Sequence, residues 1–542
     1  MKWNFTTFVA LMTAISLPMI LHAEVPESSM QQMPPMNEIY HPVSTTNPEA
    51  QKSFDKGLTY LYAFNHDIAY REFANAARLD PNLAMAYWGM ALALGQNIND
   101  DVTPANEIKC YGYMQKAMQL LPNASAVEQA YIKALVVRYT NDPKADLIPL
   151  RFKYREAMKK LAAAYPNDLD ASTLYAESIL DLAPWKYWTW DGKPKDGTME
   201  AIGILNSVLR RNPSQIGANH FAIHAWEGSS TPEQALMSAY RLTYLLPESG
   251  HLLHMPCHIF MLVGDYEAAI KTNTKAITQD KEYIKQYGLG GNYPLNYLSH
   301  NMTILVRAYM LSEQYDEAVK AYQDLVNFIV PNLGVMHHLG MHLIVPMEVN
   351  LYFHRWNELL AYTPATNMAS VVAYMHFSRA IAYINLGDLS SAQKEKALMQ
   401  KSMSEITDME EIAKNEAKNV LALAAIILDA DLAHAQKQES VYIDDLKKAA
   451  DIQDKLNYDE PPAWYVPVRA ELGKALLEQK RYVEAEAAFR KALSVFQRDG
   501  RLLLGLYLSV KGQGHDWDAF FIQREMTAAL KKAPRPLTLE DI

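Results

Sequence analysis

The stretch "GLTYLYAFNHDIAYREFANAARLDP", residues 57–81, has the order of side chains expected of two helices joined by a short turn. Small residues such as Gly57 and Ala69 let two antiparallel helices approach closely, and an aromatic residue such as Phe73 fills the space between one helix pair and the next. Pro81 follows the second helix, where proline commonly ends helical structure. The stretch therefore predicts one helix-turn-helix unit.

A second stretch near the other end of the chain, "ELGKALLEQKRYVEAEAAFRKAL", repeats this order. Gly57 precedes Ala69 by twelve residues, and Gly473 precedes Ala485 by the same distance. Agreement in spacing as well as composition resembles the tetratricopeptide repeat, a helix-turn-helix of about 34 residues. Looser copies such as "DYEAAIKTNTKAI" and "QYDEAVKAYQDLV" predict roughly eight to eleven helix pairs over residues 47–534.

The predicted fold is all-α, a right-handed α-solenoid of tetratricopeptide-like helix pairs. The chain is poor in glycine, with 22 residues, and rich in alanine, leucine and methionine, which favours helices over sheets. Each pair has an apolar face that it cannot bury alone, and stacking the pairs buries it and winds the chain into a superhelix with a concave groove. The first helix of each pair lines this groove, so functional residues are expected on first helices.

Several phrases outside the repeat pattern resemble a widespread family of secreted or periplasmic bacterial tetratricopeptide proteins of unassigned activity. These phrases are "PWKYWTWDGKP", "GANHFAIHAWE", "GHLLHMPCHIF", "YDEPPAWY" and "PLTLEDI". The resemblance spans nearly the whole chain after its N-terminal segment, but it implies no established chemistry.

The chain is expected to be exported, because it begins with one lysine and an apolar run that ends before a small residue, the pattern of a secretory signal peptide. A net charge of −10 excludes a general electrostatic affinity for nucleic acid, and two cysteines exclude a disulfide framework. No integral membrane anchor is expected after signal cleavage. The predicted organisation is a signal peptide (1–23), a flexible N-terminal arm (24–46), N-terminal repeats (47–182), central His-rich repeats (183–360), C-terminal repeats (361–534) and a tail (535–542).

Histidine is concentrated in the central repeats. Of sixteen histidines, ten lie between His220 and His354, where an even distribution would place about four. His220 and His254 are 34 residues apart, and so are His224 and His258. The two pairs therefore occupy equivalent positions on successive first helices.

The phase of the repeat predicts that these histidines face the groove together. Cys257 lies twelve residues before Ala269, the position that glycine holds in other units, so Cys257 is expected to be a small buried packing residue. Residues three or four positions apart share one side of a helix. His300 lies eighteen residues before Ala318, just as His251 lies eighteen residues before Ala269. The first helix of a third pair therefore also directs a histidine into the groove. The predicted groove site comprises His220, His224, Glu227, His251, His254, His258 and His300.

The sequence allows two alternatives for each of several residues near the predicted site. Pro256 either bends a helix that contains it or marks a helix that starts late, near Met255. A further set, "VMHHLGMH", falls in an irregular stretch near Glu348 and has no fixed register. Arg307 occupies the position equivalent to His258, where it holds either an anionic ligand or a salt bridge. Trp188 belongs to an aromatic segment that is either a lid over the groove or a plug between units.

Two functions from different classes fit these residues. In the first, the protein is a scaffold that binds a protein segment or small ligand in its His-rich groove, at the residues named above together with Arg307 and Trp188. In the second, it is a metal-binding protein or metal-dependent hydrolase or oxidase. Neutral imidazoles and a carboxylate suit a divalent transition metal such as Zn, Fe or Cu. The candidate ligands are His220, His224, Glu227, His254 and His258.

Overall fold

The computed structural model describes residues 39–190, 192–288 and 293–542. The predicted signal peptide and residues 24–38 of the predicted arm lie outside these residues. Contacts between Cα atoms group Glu38–Ile542 as one compact unit. In the described part of this unit, all regular secondary structure is helical except for one two-stranded hairpin. This confirms the predicted all-α solenoid.

The first half of the solenoid contains the helices that carry most of the candidate site. They are α1 (Pro48–Tyr62), α2 (His66–Leu79), α3 (Ala84–Leu94), α4 (Pro104–Gln119), α5 (Ala126–Leu135), α6 (Ile148–Ala164), α7 (Leu169–Leu180), α8 (Thr198–Arg211), α9 (Ile216–Glu227), α10 (Leu236–Leu245), α11 (Gly250–Leu262) and α12 (Tyr266–Tyr287).

The second half continues the same alternation and contains the hairpin. Its elements are α13 (Leu298–Leu311), α14 (Tyr315–Ile329), α15 (Val345–Tyr352), α16 (Trp356–Ala361), α17 (Ala369–Asn385), α18 (Leu389–Ser404), β1 (Glu411–Ile412), β2 (Asn415–Glu416), α19 (Ala417–Ala435), α20 (Glu439–Gln453), α21 (Val468–Glu478), α22 (Tyr482–Leu493), α23 (Gly500–Gly512) and α24 (Asp516–Ala529).

Each odd-numbered helix packs against the even-numbered helix that follows it, from α1 with α2 to α23 with α24. The described residues thus form twelve pairs, one more than the upper end of the predicted range. The pair α15 and α16 explains the difference, because its helices span only eight and six residues and show little of the repeat pattern.

The predicted packing positions are occupied in the same way at both ends of the solenoid. The ring of Phe73, on α2, lies against Gly57 of its own pair and Gly89 of the next, so closely that an added Cβ at either glycine would overlap it. Phe489, on α22, lies in the same manner against Gly473 and Gly505. Two distant units therefore use one interlocking contact, as their equal spacing predicts.

Cys257 is fully buried on α11, as its phase predicts. Cys110 is also buried, and both cysteines are free thiols. The central repeats are therefore held by packing and hydrogen bonds, with no bridge between these two residues.

None of the helices among the described residues is long and apolar enough to cross a membrane.

The described part of the predicted arm, residues 39–46, lies against the first repeats. The Nδ1 atom of His41 lies 2.8 Å from Oδ2 of Asp170, on α7, and the His41 backbone N–H donates to Asp55. The Ser44 backbone N–H donates to Glu128 at 2.6 Å. Three helices thus hold this segment in place.

We expect His41→Ala to destabilise the protein by about 2 kcal/mol at slightly acidic pH, because it leaves the Asp170 carboxylate without its charged partner. Burial lowers the pKa of His41, but Asp170 raises it by more, so the folded-state pKa lies above 6.5. The stabilisation is therefore complete below pH 6.5 and is lost as pH rises through the folded-state pKa. Denaturant unfolding at about pH 6 and about pH 9 should give the larger difference from wild type at about pH 6. Equal differences at both pH values would contradict this assignment.

Candidate metal centre

The candidate site is built by the first helices of three successive pairs, as the repeat phase predicts. Helix α9 supplies His220 and His224, α11 supplies His251, His254 and His258, and α13 supplies His300. Residues four apart on α9 and on α11 project from one side of the helix. Pro256 lies inside α11, so both of the preceding histidines are helical and share its inner face.

The six histidines form two groups of three. In the first triad, Nε2 of His220 lies 3.1 Å from Nε2 of His224 and 3.2 Å from Nε2 of His251. The ring of Phe64 packs at a centroid distance of 4.4 Å from that of His220 and supplies an apolar floor. In each triad, one nitrogen per ring lies within 4.8 Å of the other two.

The second triad lies beside the first. Nε2 of His254 lies 2.7 Å from Nε2 of His258 and 2.9 Å from Nε2 of His300. The rings of His251 and His254 are 6.2 Å apart between centroids, so the two triads are immediate neighbours. Five of the six histidines are at most 3% exposed, and His300 is partly buried.

Glu227 contacts one histidine of each triad, at the Nδ1 atom of the ring. Its Oε1 lies 2.8 Å from Nδ1 of His224, in the first triad, and its Oε2 lies 2.6 Å from Nδ1 of His258, in the second. Both oxygens therefore contact the ring nitrogens that face away from the triads. Glu227, predicted among the metal ligands, is placed here as a partner that orients ligands.

The contacts on Nδ1 determine where the proton lies in two rings of the first triad, those of His220 and His224. A neutral imidazole has one N–H, and carbonyl and carboxylate oxygens only accept. His220 donates from Nδ1 to the Tyr62 carbonyl at 2.7 Å, and His224 donates from Nδ1 to Glu227. The two Nε2 atoms that face each other at 3.1 Å then both carry lone pairs.

The second triad has the same arrangement. The amide N–H of Asn273 donates to the carbonyl of Asn301 at 2.5 Å, which turns Asn273 Oδ1 towards Nδ1 of His254 at 2.7 Å. His254 and His258 therefore both donate from Nδ1, and their Nε2 atoms face each other at 2.7 Å. Two lone pairs at this distance repel each other unless a cation, either a proton or a metal ion, lies between them. The donor set thus fits a metal ion in each triad.

The electrostatic environment keeps most of these rings neutral. Burial, and then the neighbouring histidines, lower the pKa of His220, His251 and His300 well below the ordinary value. Burial would raise the pKa of Glu227, but His224 and His258 together lower it to about 2, so it is ionised. Burial lowers the pKa of His258 too, but Glu227 outweighs it and raises that pKa. A neutral imidazole is the form that binds metals.

A cavity of about 640 Å³, here called the histidine cavity, reaches both triads. It is lined by His224, His251, His254, His258 and His300. A second cavity of about 890 Å³, here called the outer cavity, is lined by Trp185, Trp188 and Trp190. Residues from several distant segments border both cavities, and these include Asn99, Asp100, Trp185, Lys414, Asp459 and Glu460. The buried triads are thus accessible to ligands.

Several of these lining residues were not among the predicted site residues. Trp185 lies edge-on to His224 with ring centroids 5.5 Å apart, and Lys414 Nζ lies 4.3 Å from the centroid of the Trp185 ring. Lys414 lies between β1 and β2, and Asp459 follows α20. None of them shares a helix or a repeat spacing with the histidines, so periodicity gives no signal for them. The phrases "PWKYWTWDGKP" and "YDEPPAWY" contain three of these positions, but only as a resemblance without chemistry.

The remaining predicted site residues lie at the edges of this region. The Arg307 guanidinium makes a buried ion pair with Glu348 at 2.7 Å and lies 4.3 Å from the Tyr465 ring centroid. Of the two alternatives for Arg307, the structure has the salt bridge. Trp188 stacks on Trp226 and donates from Nε1 to the Ala225 carbonyl at 2.8 Å, beside the outer cavity.

The segment "VMHHLGMH" lies next to the second triad, as a 3₁₀ helix over His337–Ile344. His342 lines the histidine cavity, and its Nδ1 lies 2.8 Å from the hydroxyl of Thr303. His338 lines the same cavity and lies 2.9 Å from Asn296. This segment therefore contributes to the cavity wall.

A third cluster of potential ligands, His41, Asp168 and Asp170, is already occupied by protein contacts. Asp170 accepts hydrogen bonds from Tyr62 and Gln215, and Asp168 accepts from the Tyr131 hydroxyl. This cluster serves to hold residues 39–46.

Comparison with known proteins supports the repeat. The family model of the tetratricopeptide repeat matches residues 466–498. No curated protein matches the sequence. Similar solved structures include the APC/C hetero-tetramer Cut9–Hcn1 (14% identity, 90% of this chain and 79% of that chain, TM-score 0.29), the human IFIT1 dimer with m7Gppp-AAAA (14%, 91% and 91%, 0.32) and yeast Tom70 (12%, 91% and 93%, 0.31). The matched segment, which spans α21 and α22, is a tetratricopeptide repeat within a solenoid of helix pairs.

Proposed function

We propose that the protein is an exported metal-binding protein whose six-histidine centre holds two transition-metal ions, one in each triad. The observation that carries this proposal is the convergence of three imidazole nitrogens in each triad, with Nε2 atoms 3.1 Å apart for His220 and His224 and 2.7 Å apart for His254 and His258. Hydrogen bonds on Nδ1 fix these orientations. Metal-ligating histidines are commonly held by such contacts on the second ring nitrogen.

The donor set indicates the kind of metal. Three imidazoles suit Zn²⁺ or copper, whereas Mg²⁺ and Ca²⁺ prefer oxygen ligands. Three protein ligands per ion leave a coordination position for a ligand, which is the pattern of catalytic zinc sites. The histidine cavity supplies room for that ligand. The proposed activity is therefore metal-dependent, either hydrolysis with zinc or oxidation with copper or iron, and the native metal decides between them.

We expect protein purified without a histidine tag, and refolded or dialysed with Zn²⁺ or Cu²⁺, to retain about two metal ions per chain, one for each triad. Elemental analysis against protein concentration measures this ratio. The double variant His224→Ala with His258→Ala, which removes one ligand from each triad, should retain none. Wild-type protein that holds no stoichiometric metal after loading with Zn²⁺, Fe²⁺ or Cu²⁺ would overturn the proposal.

A second candidate function is the binding of a protein segment or an organic ligand, and the outer cavity favours it. Its volume of about 890 Å³ lies within the range of small-molecule sites, and its wall carries four tryptophans that offer large apolar contact. Trp190 is 67% exposed, so its ring is available to a ligand. If this function exists without metal, ligand binding will be equal in metal-free wild type and in the double histidine variant.

A further inference from the structure

The loop Tyr458–Ala463 brings acidic residues from a distant part of the chain to the two histidine triads, here together called the histidine centre. The backbone N–H of Asn457 donates to Asn415 Oδ1 at 2.7 Å, which attaches the start of the loop to the hairpin. Arg307 Nη1 donates to the Pro462 carbonyl at 3.4 Å, which attaches the loop to α13. The loop is thus held on two sides in the wall between the histidine cavity and the outer cavity.

Glu460 is the residue of this loop with the most unusual environment. It is 5% exposed, and its carboxyl accepts one hydrogen bond, from the Tyr458 hydroxyl at 2.7 Å. No lysine or arginine nitrogen among the described residues lies within ion-pair distance of it. A buried carboxyl group without a lysine or arginine partner favours its neutral form, because an unpaired charge is costly to desolvate.

Metal ions bound in the histidine centre would need negative charge nearby to balance their positive charge. Two divalent cations would bring four positive charges into a region where six neutral imidazoles contribute none and Glu227 contributes one negative charge. Coulomb interactions are strong in a buried environment, so additional carboxylates near the cations stabilise the loaded state. Glu460 lines the cavity that His254, His258 and His300 also line, so it is placed to provide such a charge.

We infer that Glu460 is the charge-compensating group of the histidine centre, protonated in the metal-free protein and ionised when metal ions occupy the triads. This inference rests on the proposed function. In the step it describes, the O–H bond of the Glu460 carboxyl breaks as metal ions bind, the carboxylate keeps the electron pair, and the proton passes to the buffer. No oxidation or reduction is involved.

The neighbouring titratable groups support this assignment to Glu460. Burial raises its pKa to about 8, although His258 and Tyr458 act in the opposite direction. Burial raises the pKa of Asp459 to about 6, so Asp459 is mostly ionised at neutral pH and has little proton to release. The other titratable groups that interact with Glu460 are Glu227, from α9, Cys257, from α11, and Tyr465, from the segment before α21. Glu227 is ionised before metal binds, and Cys257 stays protonated because burial raises its pKa well above the ordinary value.

The test measures how many protons the full chain releases when it binds Zn²⁺. Calorimetric titration in buffers of different ionisation enthalpy gives the protons released per chain. We expect Glu460→Gln, which keeps the shape of the side chain, to release about one proton fewer than wild type at about pH 7. This difference should approach zero at about pH 9.5, where Glu460 is already ionised. The variant should also bind Zn²⁺ about tenfold more weakly.

Glu411→Gln is the matched control, because Glu411 lines the same cavity but is exposed to water. Its proton count should equal that of wild type, because an exposed carboxylate is already ionised at neutral pH. A Glu460→Gln count equal to wild type, in protein that still binds Zn²⁺, would overturn this inference and leave the proposed function intact. Wild-type protein that binds no Zn²⁺ would overturn both.

Discussion

Replacing His220 by alanine is expected to remove one of the two metal ions and to leave the other in place. His220 belongs to the first triad, and its Nδ1 contacts the Tyr62 carbonyl, so its loss does not disturb Glu227 or the second triad. His300→Ala is the corresponding change in the second triad. Each variant should retain about one metal ion per chain, with affinity at the altered triad reduced on the order of 100-fold or more, since even outer-shell changes cost 10–100-fold.

The two variants together distinguish two separate sites from one shared site. Elemental analysis should give one ion for His220→Ala, one for His300→Ala and none for their combination. His376→Ala is the control, because His376 is a partly buried histidine, like His300, that contacts Glu395, on α18, away from the triads. Loss of both ions in either single variant would show that the six histidines bind one cluster, and loss of neither would show that the altered residue is not a ligand.

The convergence of the histidines was predictable from the sequence because it depends only on the position of each histidine within its repeat. An interval of 34 residues places His220 and His254 at equivalent points of successive first helices, and the offset from the packing alanine adds His300. Neighbouring pairs in the solenoid are related by nearly the same displacement, so equivalent positions face the same side. The structure confirms that these side chains meet in one place.

The division into two triads was not predictable from the sequence. It depends on which rings turn towards each other, and that is decided by contacts on Nδ1 from Tyr62, Asn273 and Glu227. Tyr62 lies 158 residues before the histidine that it orients. No repeat spacing relates these partners to the ligands. Glu227 was therefore grouped with the ligands, whereas its position on α9 directs both oxygens to the outer side of the rings.

The wall of the cavity was missed for a different reason. Trp185, Lys414 and Glu460 lie in connections between helices, where the side chains do not follow the helical period. Their approach to the histidines depends on how far the solenoid turns between α7 and α20. That curvature is the sum of many small rotations between pairs, which the pattern of apolar residues does not specify.

Replacing Glu227 by glutamine is expected to weaken both metal sites and to eliminate one of them. The carboxylate accepts from Nδ1 of His224 and of His258 at once, but an amide has only one oxygen that accepts. The amide nitrogen must face the second histidine, which then has to present a lone pair at Nδ1 and carry its proton on Nε2. A protonated Nε2 cannot bind a metal ion, so that triad loses a ligand.

The measurements for this variant are metal content and the protonation of the ring nitrogens. Glu227→Gln should retain at most one metal ion per chain, bound 10–100-fold more weakly than in wild type because the remaining contact is no longer charged. Nitrogen NMR of the metal-free variant should show one of the two histidines protonated at Nε2 instead of Nδ1. Glu248→Gln is the control, since Glu248 is exposed shortly before α11, and it should leave both ions bound. Two ions at unchanged affinity in Glu227→Gln would mean that the shared carboxylate does not set the orientation of the ligands.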